Sequence, residues 1–319
     1  MLNDLLDAKK CFKLVCGAGN EDAQEVEKLV TIYSLAGCNF FDLCAKPEIV
    51  DAAKRGLERA GIKEDRYICV SVGIDGDPHI TKAVIDQQKC VKCGKCKQIC
   101  PHDAIIELDK YKVKKERCIG CMQCAKKCPK QAIEMVSQLQ DYDEVLPAII
   151  EKGIDCIEFH AISTDEKDVM DKWLQINDYF DGMLCISIDR SELGDRKLKE
   201  RVKKMLGIRK PYTTIIQADG IAMSGSDDEF GTTLQAVATA QLFQNAQMPA
   251  YIMMSGGTNT KSIELASMCN VYPHCLAVGS YARKIVKEFL VAEDLFTNPE
   301  KLNQAVNIAK TLVGIITKE

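Results

Sequence analysis

The sequence lacks an apolar run long enough to cross a membrane, since no stretch approaches the roughly 20 residues that a spanning helix needs. Its first ten residues, MLNDLLDAKK, lack the apolar core of a secretory signal peptide. The formal net charge is only −4 over 319 residues, which gives no indication of a nucleic-acid-binding surface. Together these absences predict a cytoplasmic protein that neither spans a membrane nor binds nucleic acid.

Cysteine, by contrast, is abundant, with 17 residues in the chain. In a reducing compartment cysteines are metal ligands, reactive thiols or small core residues rather than disulfides. Eight of them form two runs of identical spacing, CVKCGKCKQICP at 90–101 and CIGCMQCAKKCP at 118–129. Bacterial two-cluster ferredoxins have this spacing, and in them the fourth cysteine of each run ligates the other cluster.

The two runs therefore predict two [4Fe–4S] clusters with crossed ligands. The first cluster takes Cys90, Cys93, Cys96 and Cys128, and the second takes Cys118, Cys121, Cys124 and Cys100. Two zinc sites are the alternative, because CxxC pairs also bind zinc. Zinc sites use ligands in two pairs, whereas each run here has three close cysteines, a fourth and then a proline. The spacing favours iron–sulfur clusters.

The rest of the chain alternates short apolar runs with amphipathic helical patterns, which indicates a parallel sheet. Eight such units over roughly 270 residues predict a (β/α)8 TIM-like barrel, with an open doubly wound α/β sheet as the alternative. Residues 298–316 predict an additional C-terminal helix. The predicted strands are Phe12–Cys16, Phe40–Cys44, Tyr67–Val72, Cys156–His160, Leu184–Ile188, Thr213–Gln217, Tyr251–Met254 and Cys275–Val278.

The cysteine-rich segment interrupts this alternation between the third strand and the third helix. We therefore predict the first part of the barrel at 1–88, an inserted ferredoxin-like domain at 89–136, and the remainder of the barrel with its C-terminal helix at 137–319. Strand-to-helix connections lie at the C-terminal face of such barrels, where ligands bind. The insert is expected over the barrel mouth.

Glycine motifs follow the last two predicted strands. They contain Ser255, Gly256, Gly257 and Thr258 after the seventh strand, and Gly279 and Ser280 after the eighth. Barrels that hold a phosphate group use the loops at these two places, so the motifs suggest a phosphate-bearing ligand. FMN is the natural candidate beside iron–sulfur clusters, because it converts one-electron into two-electron chemistry. Tight strand-to-helix turns are the alternative explanation of the glycines.

Polar residues at the predicted strand ends suggest a polar pocket, since they are hard to explain as packing. Four are candidate catalytic residues: His160, Glu158, Asp189 and Asp219. Asp189 or Asp219 can instead cap the following loop or helix, and no strand end carries a lysine placed for Schiff-base chemistry. The full set is Asp42, Ser71, Glu158, His160, Ser187, Asp189, Arg190, Gln217 and Asp219.

The nine cysteines outside the two runs are expected to fill the core, because buried free cysteine behaves as a small apolar residue. Cys16 and Cys44 fall near the ends of the first two strands, where a thiol can meet a ligand. The long polar loop at 217–233, with its acidic run Asp227-Asp228-Glu229, is interpreted as a lid or a partner-docking loop, or as a plain surface loop.

Three further stretches are similar to a known family: FKLVCGAG at 12–19, LAGCNFFD at 35–42, and the residues Met223-Ser-Gly with Gly231-Thr-Thr. With the double cysteine motif, the chain resembles the light-dependent-period (LdpA) family of iron–sulfur proteins, known from cyanobacteria. The resemblance implies redox-active clusters and a redox-sensing role that adjusts the circadian clock to electron transport.

Two functions are consistent with the sequence. In the first, the clusters exchange electrons between a ferredoxin-like or other redox protein and a ligand at the barrel mouth, which makes the protein an iron–sulfur oxidoreductase, flavin-dependent if FMN is bound. In the second, the protein is a non-catalytic redox sensor whose cluster state changes how the insert docks and is read by a protein partner. The catalytic status and the oligomeric state stay open.

Overall fold

A computed structural model describes residues 1–62, 64–75, 77, 80–191, 193–220 and 229–317 of the chain. Eight parallel strands close into a barrel, which confirms the predicted (β/α)8 architecture and excludes the open sheet. The closing contact joins the first and last of these strands, with Leu14 opposite Val278. The barrel strands are β1 (Cys11–Val15), β2 (Phe40–Cys44), β3 (Tyr67–Gly73), β8 (Cys156–His160), β9 (Met183–Ile188), β10 (Thr214–Asp219), β11 (Tyr251–Ser255) and β12 (Cys275–Val278).

Helices surround the barrel and cover the outward faces of its strands, so the main apolar core lies between the two layers. The predicted C-terminal helix is present and packs against the first barrel helix and β1. In chain order the helices outside the insert are α1 (Leu2–Asp7), α2 (Ala23–Leu35), α3 (Pro47–Ala60), α6 (Tyr142–Ile150), α7 (Glu166–Tyr179), α8 (Asp195–Leu206), α9 (Glu229–Ala246), α10 (Ser262–Met268), α11 (Ser280–Ile285), α12 (Lys287–Leu290) and α13 (Pro299–Thr317).

The insert between β3 and α6 is a small module with its own core. Its outer strands, β4 (Thr81–Ile85) and β7 (Ile133–Ser137), pair antiparallel, so the module begins before the predicted boundary at residue 89. Within it, β5 (Ile105–Glu107) and β6 (Tyr111–Val113) form a hairpin. The two short helices α4 (Lys95–Ile99) and α5 (Gln123–Lys127) each start inside one cysteine run.

A second apolar cluster fills the lower part of the barrel interior. Leu2 and Leu6 of α1 belong to it and close the N-terminal end of the barrel. Five cysteines contribute to this cluster and behave as small apolar residues, as predicted. They are Cys11, Cys69, Cys156, Cys185 and Cys275.

Among the residues that the structure describes, no helix combines the length and the apolar character that crossing a membrane requires.

Candidate cluster sites and barrel mouth

The eight motif cysteines line two separate cavities of the insert. One cavity contains the four cysteines predicted for the first cluster, and the other contains the four predicted for the second. The crossed grouping arises because the chain turns away after the third cysteine of each run and carries the fourth to the other cavity. The first group is Cys90, Cys93, Cys96 and Cys128, and the second is Cys100, Cys118, Cys121 and Cys124.

The surroundings of both cavities fit an iron–sulfur cluster. Four thiols surround each cavity, which is the donor set that a [4Fe–4S] cube requires. Backbone amides point at the sulfurs: the amide of Ala83 donates to Cys118 Sγ, that of Ala104 to Cys100 Sγ and that of Ala132 to Cys128 Sγ, each at 3.3 Å. Hydrogen bonds of this kind stabilise cluster thiolates and tune their reduction potential.

The second cavity lies against the barrel. Lys82, buried in β4, donates to the carbonyl oxygen of Gly19 at 2.6 Å and to that of Cys118 at 2.8 Å, so one ammonium joins the loop after β1 to a predicted cluster ligand. It also pairs with Glu21 at 3.0 Å. Ile119, which lines this cavity, is 3.8 Å from where a Cβ on Gly17 would lie. The second cavity is therefore the one proximal to the barrel mouth.

Arg283 of α11 attaches the other side of the same cavity. Its guanidinium forms a bidentate pair with Glu25, with both distances 2.7 Å, and donates to the carbonyl oxygen of Pro101 at 3.0 Å. Pro101 directly follows Cys100, a predicted ligand of the second cluster. A further ion pair of 2.7 Å joins Arg117 of the insert to Asp22, which caps α2.

The first cavity lies away from these contacts and faces solvent. Cys93 is exposed, and its neighbour Val91 has 56% of its surface accessible. Because electron transfer requires close approach, the exposed edge of this distal cavity is where a protein in solution can come nearest to the predicted clusters.

Inside the barrel, below its mouth, lies a buried polar network that includes a lysine. Lys13 of β1 pairs with Glu158, lies 3.8 Å from Asp42 and donates to Gln217 at 3.3 Å. Burial alone would lower the pKa of Lys13, but the carboxylates of Asp42 and Glu158 raise it well above its ordinary value. Asp42, Cys69 and Glu158 are close enough together to hold a metal ion, yet the Lys13 ammonium already neutralises the carboxylates there.

His160 connects this network to the loop after β3. Its Nδ1 lies 2.7 Å from Asp77 and its Nε2 lies 3.1 Å from Glu158. Burial opposes the charged form of His160, but these two carboxylates outweigh burial and raise its pKa well above the ordinary value. A carboxylate within hydrogen-bond distance of each ring nitrogen favours the imidazolium form, in which both nitrogens are donors. Lys13 and His160 in turn hold the pKa of Glu158 well below its ordinary range, against the effect of burial.

Asp219 lies at the upper edge of the network and is half-buried. It accepts a hydrogen bond from Ser187 Oγ at 2.6 Å and lies 3.3 Å from Gln217 Nε2. Burial, followed by the charge of Glu158, raises the pKa of Asp219 to about 6. A carboxyl group that titrates near neutral pH at the mouth of a barrel can take up and release a proton there.

The structure does not bring every predicted polar residue into this network. Asp189 accepts hydrogen bonds from the backbone amide and the hydroxyl of Ser191, and therefore caps its own loop. Arg190 is exposed and pairs with Asp195 at 2.8 Å. Residues 221–228, most of the loop interpreted as a lid or docking segment, lie outside the described residues.

The glycine motifs after β11 and β12 lie in tightly packed loops. Gly256 has φ of +63°, and a Cβ there would come within 2.8 Å of the backbone nitrogen of Gly220. The carbonyl oxygen of Gly257 accepts from Thr233 Oγ1 at 2.9 Å, and Thr258 Oγ1 donates to the carbonyl oxygen of Ala277. Loop packing therefore requires a glycine at position 256, whether or not a ligand binds there.

Gly279 differs from Gly256 in its backbone, because its φ of −112° does not lie in the left-handed region. It precedes α11, and a Cβ there would lie 3.2 Å from Cβ of Val15.

The thiols of Cys16 and Cys44 are buried at the ends of β1 and β2. Burial raises the pKa of Cys16 well above its ordinary value and that of Cys44 to about 12. Both are therefore protonated at neutral pH and poorly nucleophilic.

Two members of the polar network were absent from the predicted set. Lys13 lies in the middle of the apolar run CFKLV. The presence of one lysine in an otherwise apolar strand was the only sign in the sequence that the strand carries a charge into the barrel interior. Asp77 lies between β3 and the insert, with no motif around it that indicates its contact with His160.

Two family profiles match the sequence. Residues 148–315 match the light dependent period A C-terminal domain, and residues 83–135 match a 4Fe–4S dicluster domain. The curated protein "Light dependent period A" from Synechococcus elongatus is 31% identical over 333 residues, covering 98% of this chain and 92% of that protein.

Crystal structures of two enzymes are similar at low identity. The alpha subunit of tryptophan synthase from Legionella pneumophila str. Paris is 10% identical with a TM-score of 0.49, covering 100% of this chain and 98% of that chain. Dihydrodipicolinate synthase from Oceanobacillus iheyensis is 9% identical with a TM-score of 0.46, covering 96% and 80% respectively.

Proposed function

Because the chain belongs to the light dependent period A family and contains a 4Fe–4S dicluster module, it is an iron–sulfur redox-related protein, and we propose that it transfers electrons between a protein partner and the barrel mouth. The predicted ligands are those of the two cavities, Cys90, Cys93, Cys96 and Cys128 for the distal cluster and Cys118, Cys121, Cys124 and Cys100 for the proximal one. Bound [4Fe–4S] clusters supply one-electron chemistry.

One observation carries the proposal: the two cavities are ordered from solvent to barrel. The distal cavity has the exposed Cys93, whereas the proximal one is attached to the barrel through Lys82 and Arg283. Such an order provides a route for electrons between solvent and the barrel mouth. A reducing compartment suits this many free thiols, and we place the protein in the cytoplasm on that ground.

The barrel mouth is proposed to bind a phosphate-bearing ligand, with FMN as the candidate. Ser255, Gly256, Gly257 and Thr258, together with Gly279 and Ser280, would face its phosphate group. Asp219 would hold or release a proton at its carboxylate, since its pKa of about 6 lies near neutral pH. His160 is fully engaged with Asp77 and Glu158, so its role is to position the carboxylates rather than to transfer protons.

Anaerobic purification followed by metal, sulfide and flavin analysis tests the proposal. We expect about eight irons per chain with charge-transfer absorbance, as two cubes require. Stoichiometric zinc without that absorbance would refute the cluster assignment. Stoichiometric FMN favours an oxidoreductase, whereas clusters without flavin reject the flavin part of the proposal and leave the electron-transfer part intact.

A second function, redox sensing, is favoured by the ionic character of the contact between insert and barrel. The pair between Arg117 and Asp22 crosses this contact, as does the one of 2.8 Å between Lys287 and Asp103. A change in cluster charge acts on such pairs, and a partner protein can read the resulting movement.

Hydrogen exchange of the oxidised and reduced protein distinguishes the two functions. A sensor is expected to show faster exchange around Asp22 and Arg117 in one redox state. Identical exchange in both states would count against sensing and would leave electron transfer as the function of the module.

A further inference from the structure

Charge is distributed very unevenly along the chain. Residues 89–136 of the insert contain twelve basic and five acidic residues, a net charge of +7, whereas the remainder of the chain carries −11. An overall charge of −4 conceals this division. The insert is thus a basic module on an acidic barrel.

Part of the basic charge is concentrated around the distal cavity. Lys92, Lys95 and Lys130 line it and are exposed, and none of the described residues that line this cavity is acidic. Within the described part of the chain, none of these three lysines forms an ion pair with a carboxylate. Val91 and Pro129, both exposed, add apolar surface among them. We refer to these five residues as the lysine face.

A face of this composition fits a protein partner better than a nucleic acid. Protein interfaces combine a small apolar centre with a charged rim, as Val91 and Pro129 do with the three lysines. Nucleic-acid sites instead extend a positive surface along the phosphate backbone, and here the strongly acidic barrel begins directly behind the insert. Charge complementarity requires the partner itself to be acidic.

We propose that the lysine face is the docking site of a small acidic electron-carrier protein, which exchanges electrons through the distal cavity. This inference rests on the proposed electron-transfer function and adds the location and charge of the partner. Lysines around Cys93 steer the negative carrier to the exposed edge of the cavity. Electrostatic steering of this kind raises association rates by about 10- to 1000-fold and weakens as ionic strength rises.

Stopped-flow reduction of the anaerobic, cluster-loaded protein tests the proposal. The probe is a reduced acidic two-cluster ferredoxin, compared at increasing ionic strength with a basic reduced cytochrome of similarly low reduction potential. We expect the ferredoxin rate to fall with salt and the cytochrome rate to rise. The double variant Lys95→Glu/Lys130→Glu should react about tenfold more slowly with ferredoxin at low salt.

A matched control reverses two lysines of the same kind on the barrel. Lys197→Glu/Lys203→Glu on α8 changes the net charge equally, and both residues are exposed. This variant should keep the ferredoxin rate of the unmodified protein. An equal slowing of both double variants would mean that net charge rather than the lysine face governs association, and would overturn the proposal.

Three other results would also overturn it. Rates that do not change with salt would exclude electrostatic steering. If the double variant shifts the reduction potential of the cluster enough to account for its slower reaction, the lysines tune that potential rather than dock the carrier. If a single-stranded oligonucleotide slows reduction by ferredoxin more effectively than added oxidised ferredoxin does, the face binds nucleic acid instead. Failure of a small reductant to reduce the clusters would instead refute the proposed function, so the two failures are distinguishable.

Discussion

The Lys13 ammonium and the Glu158 carboxylate form an ion pair in the barrel interior, although 145 positions separate them in the sequence. Lys13 is fully buried and Glu158 has 2% of its side chain accessible. Removing one charge from such a pair leaves the other buried without compensation. Lys13→Met is therefore expected to lower the free energy of unfolding by about 3–5 kcal/mol, measured by urea denaturation.

The double variant Lys13→Met/Glu158→Gln serves as the comparison for this prediction. Because it removes both charges, it should be less destabilised than Lys13→Met alone. The exposed Lys197→Met should change stability by no more than about 0.5 kcal/mol. A double variant as unstable as the sum of both single variants would mean that the pair contributes through packing rather than charge.

Protonation of His160 predicts a pH dependence of stability. The pKa of His160 is raised in the folded protein, so its stabilisation is complete below the unfolded pKa of about 6.5 and is lost as the pH rises toward the folded value. The stability advantage of the unmodified protein over His160→Gln should therefore shrink between pH 6.5 and 8.5, by up to about 1.4 kcal/mol per pH unit.

His274→Gln is the control for this measurement. The pKa of His274 is lowered mainly by burial, so its titration in the folded state falls below pH 6.5. Its stability difference from the unmodified protein should change by no more than about 0.5 kcal/mol from pH 6.5 to 8.5. Parallel stability curves for the unmodified protein and His160→Gln in this range would show that His160 is not held as a cation.

Crossed ligation predicts which cysteine variants share a phenotype. Cys93→Ser and Cys128→Ser should both lose the distal cluster and retain about four irons per chain, although the two residues belong to different motifs. Cys100→Ser should instead match Cys121→Ser. Iron analysis and the electron paramagnetic resonance spectrum of the remaining cluster distinguish the two groups.

Cys269→Ser is the matched control, since this half-buried cysteine lies outside the insert and should leave the iron content unchanged. Pairing of Cys128 with the proximal group in these spectra would contradict crossed ligation.

Gly279 offers a cleaner test of the phosphate site than Gly256. Gly256→Ala places a methyl group in a left-handed backbone, 2.8 Å from the Gly220 nitrogen, and should destabilise the fold by about 1–3 kcal/mol. Gly279→Ala instead places a Cβ 3.2 Å from Cβ of Val15, a close contact with a side chain rather than with backbone, at a φ of −112°. It should destabilise the fold less than Gly256→Ala does, while reducing FMN retention on reconstitution. Unchanged retention would argue against phosphate binding at that loop.

Much of the architecture was predictable because each strand is a short apolar run whose periodicity depends on nearby residues. All eight barrel strands were identified: three have the predicted bounds, and the ends of the others differ by one or two positions, as at Cys11 and Gly73. The insert was recognisable because thiolate ligands require close spacing along the chain. Its strand β4 was missed, since Thr81–Ile85 forms a strand by pairing with Ile133–Ser137, roughly 50 residues away.

The polar network could be predicted only in part, because its contacts join residues distant in sequence. Glu158, His160 and Asp219 were recognisable as polar residues at strand ends. Lys13 was not, since its charge is compensated by side chains on β2, β8 and β10. Asp189 has the same sequence context as Asp219 but turns back to Ser191, and local pattern does not separate the two.

The pairing of β4 with β7 has a consequence for the history of the chain. Thr81 and Ser137 are opposite each other in this two-stranded sheet, so the chain enters and leaves the module at adjacent points. An ancestral barrel could therefore have acquired the whole module in one genetic insertion, with a short connection from β3 to α6 replaced and every barrel strand kept in its place. The contacts of Asp22 with Arg117 and of Arg283 with Pro101 then hold the module against the barrel.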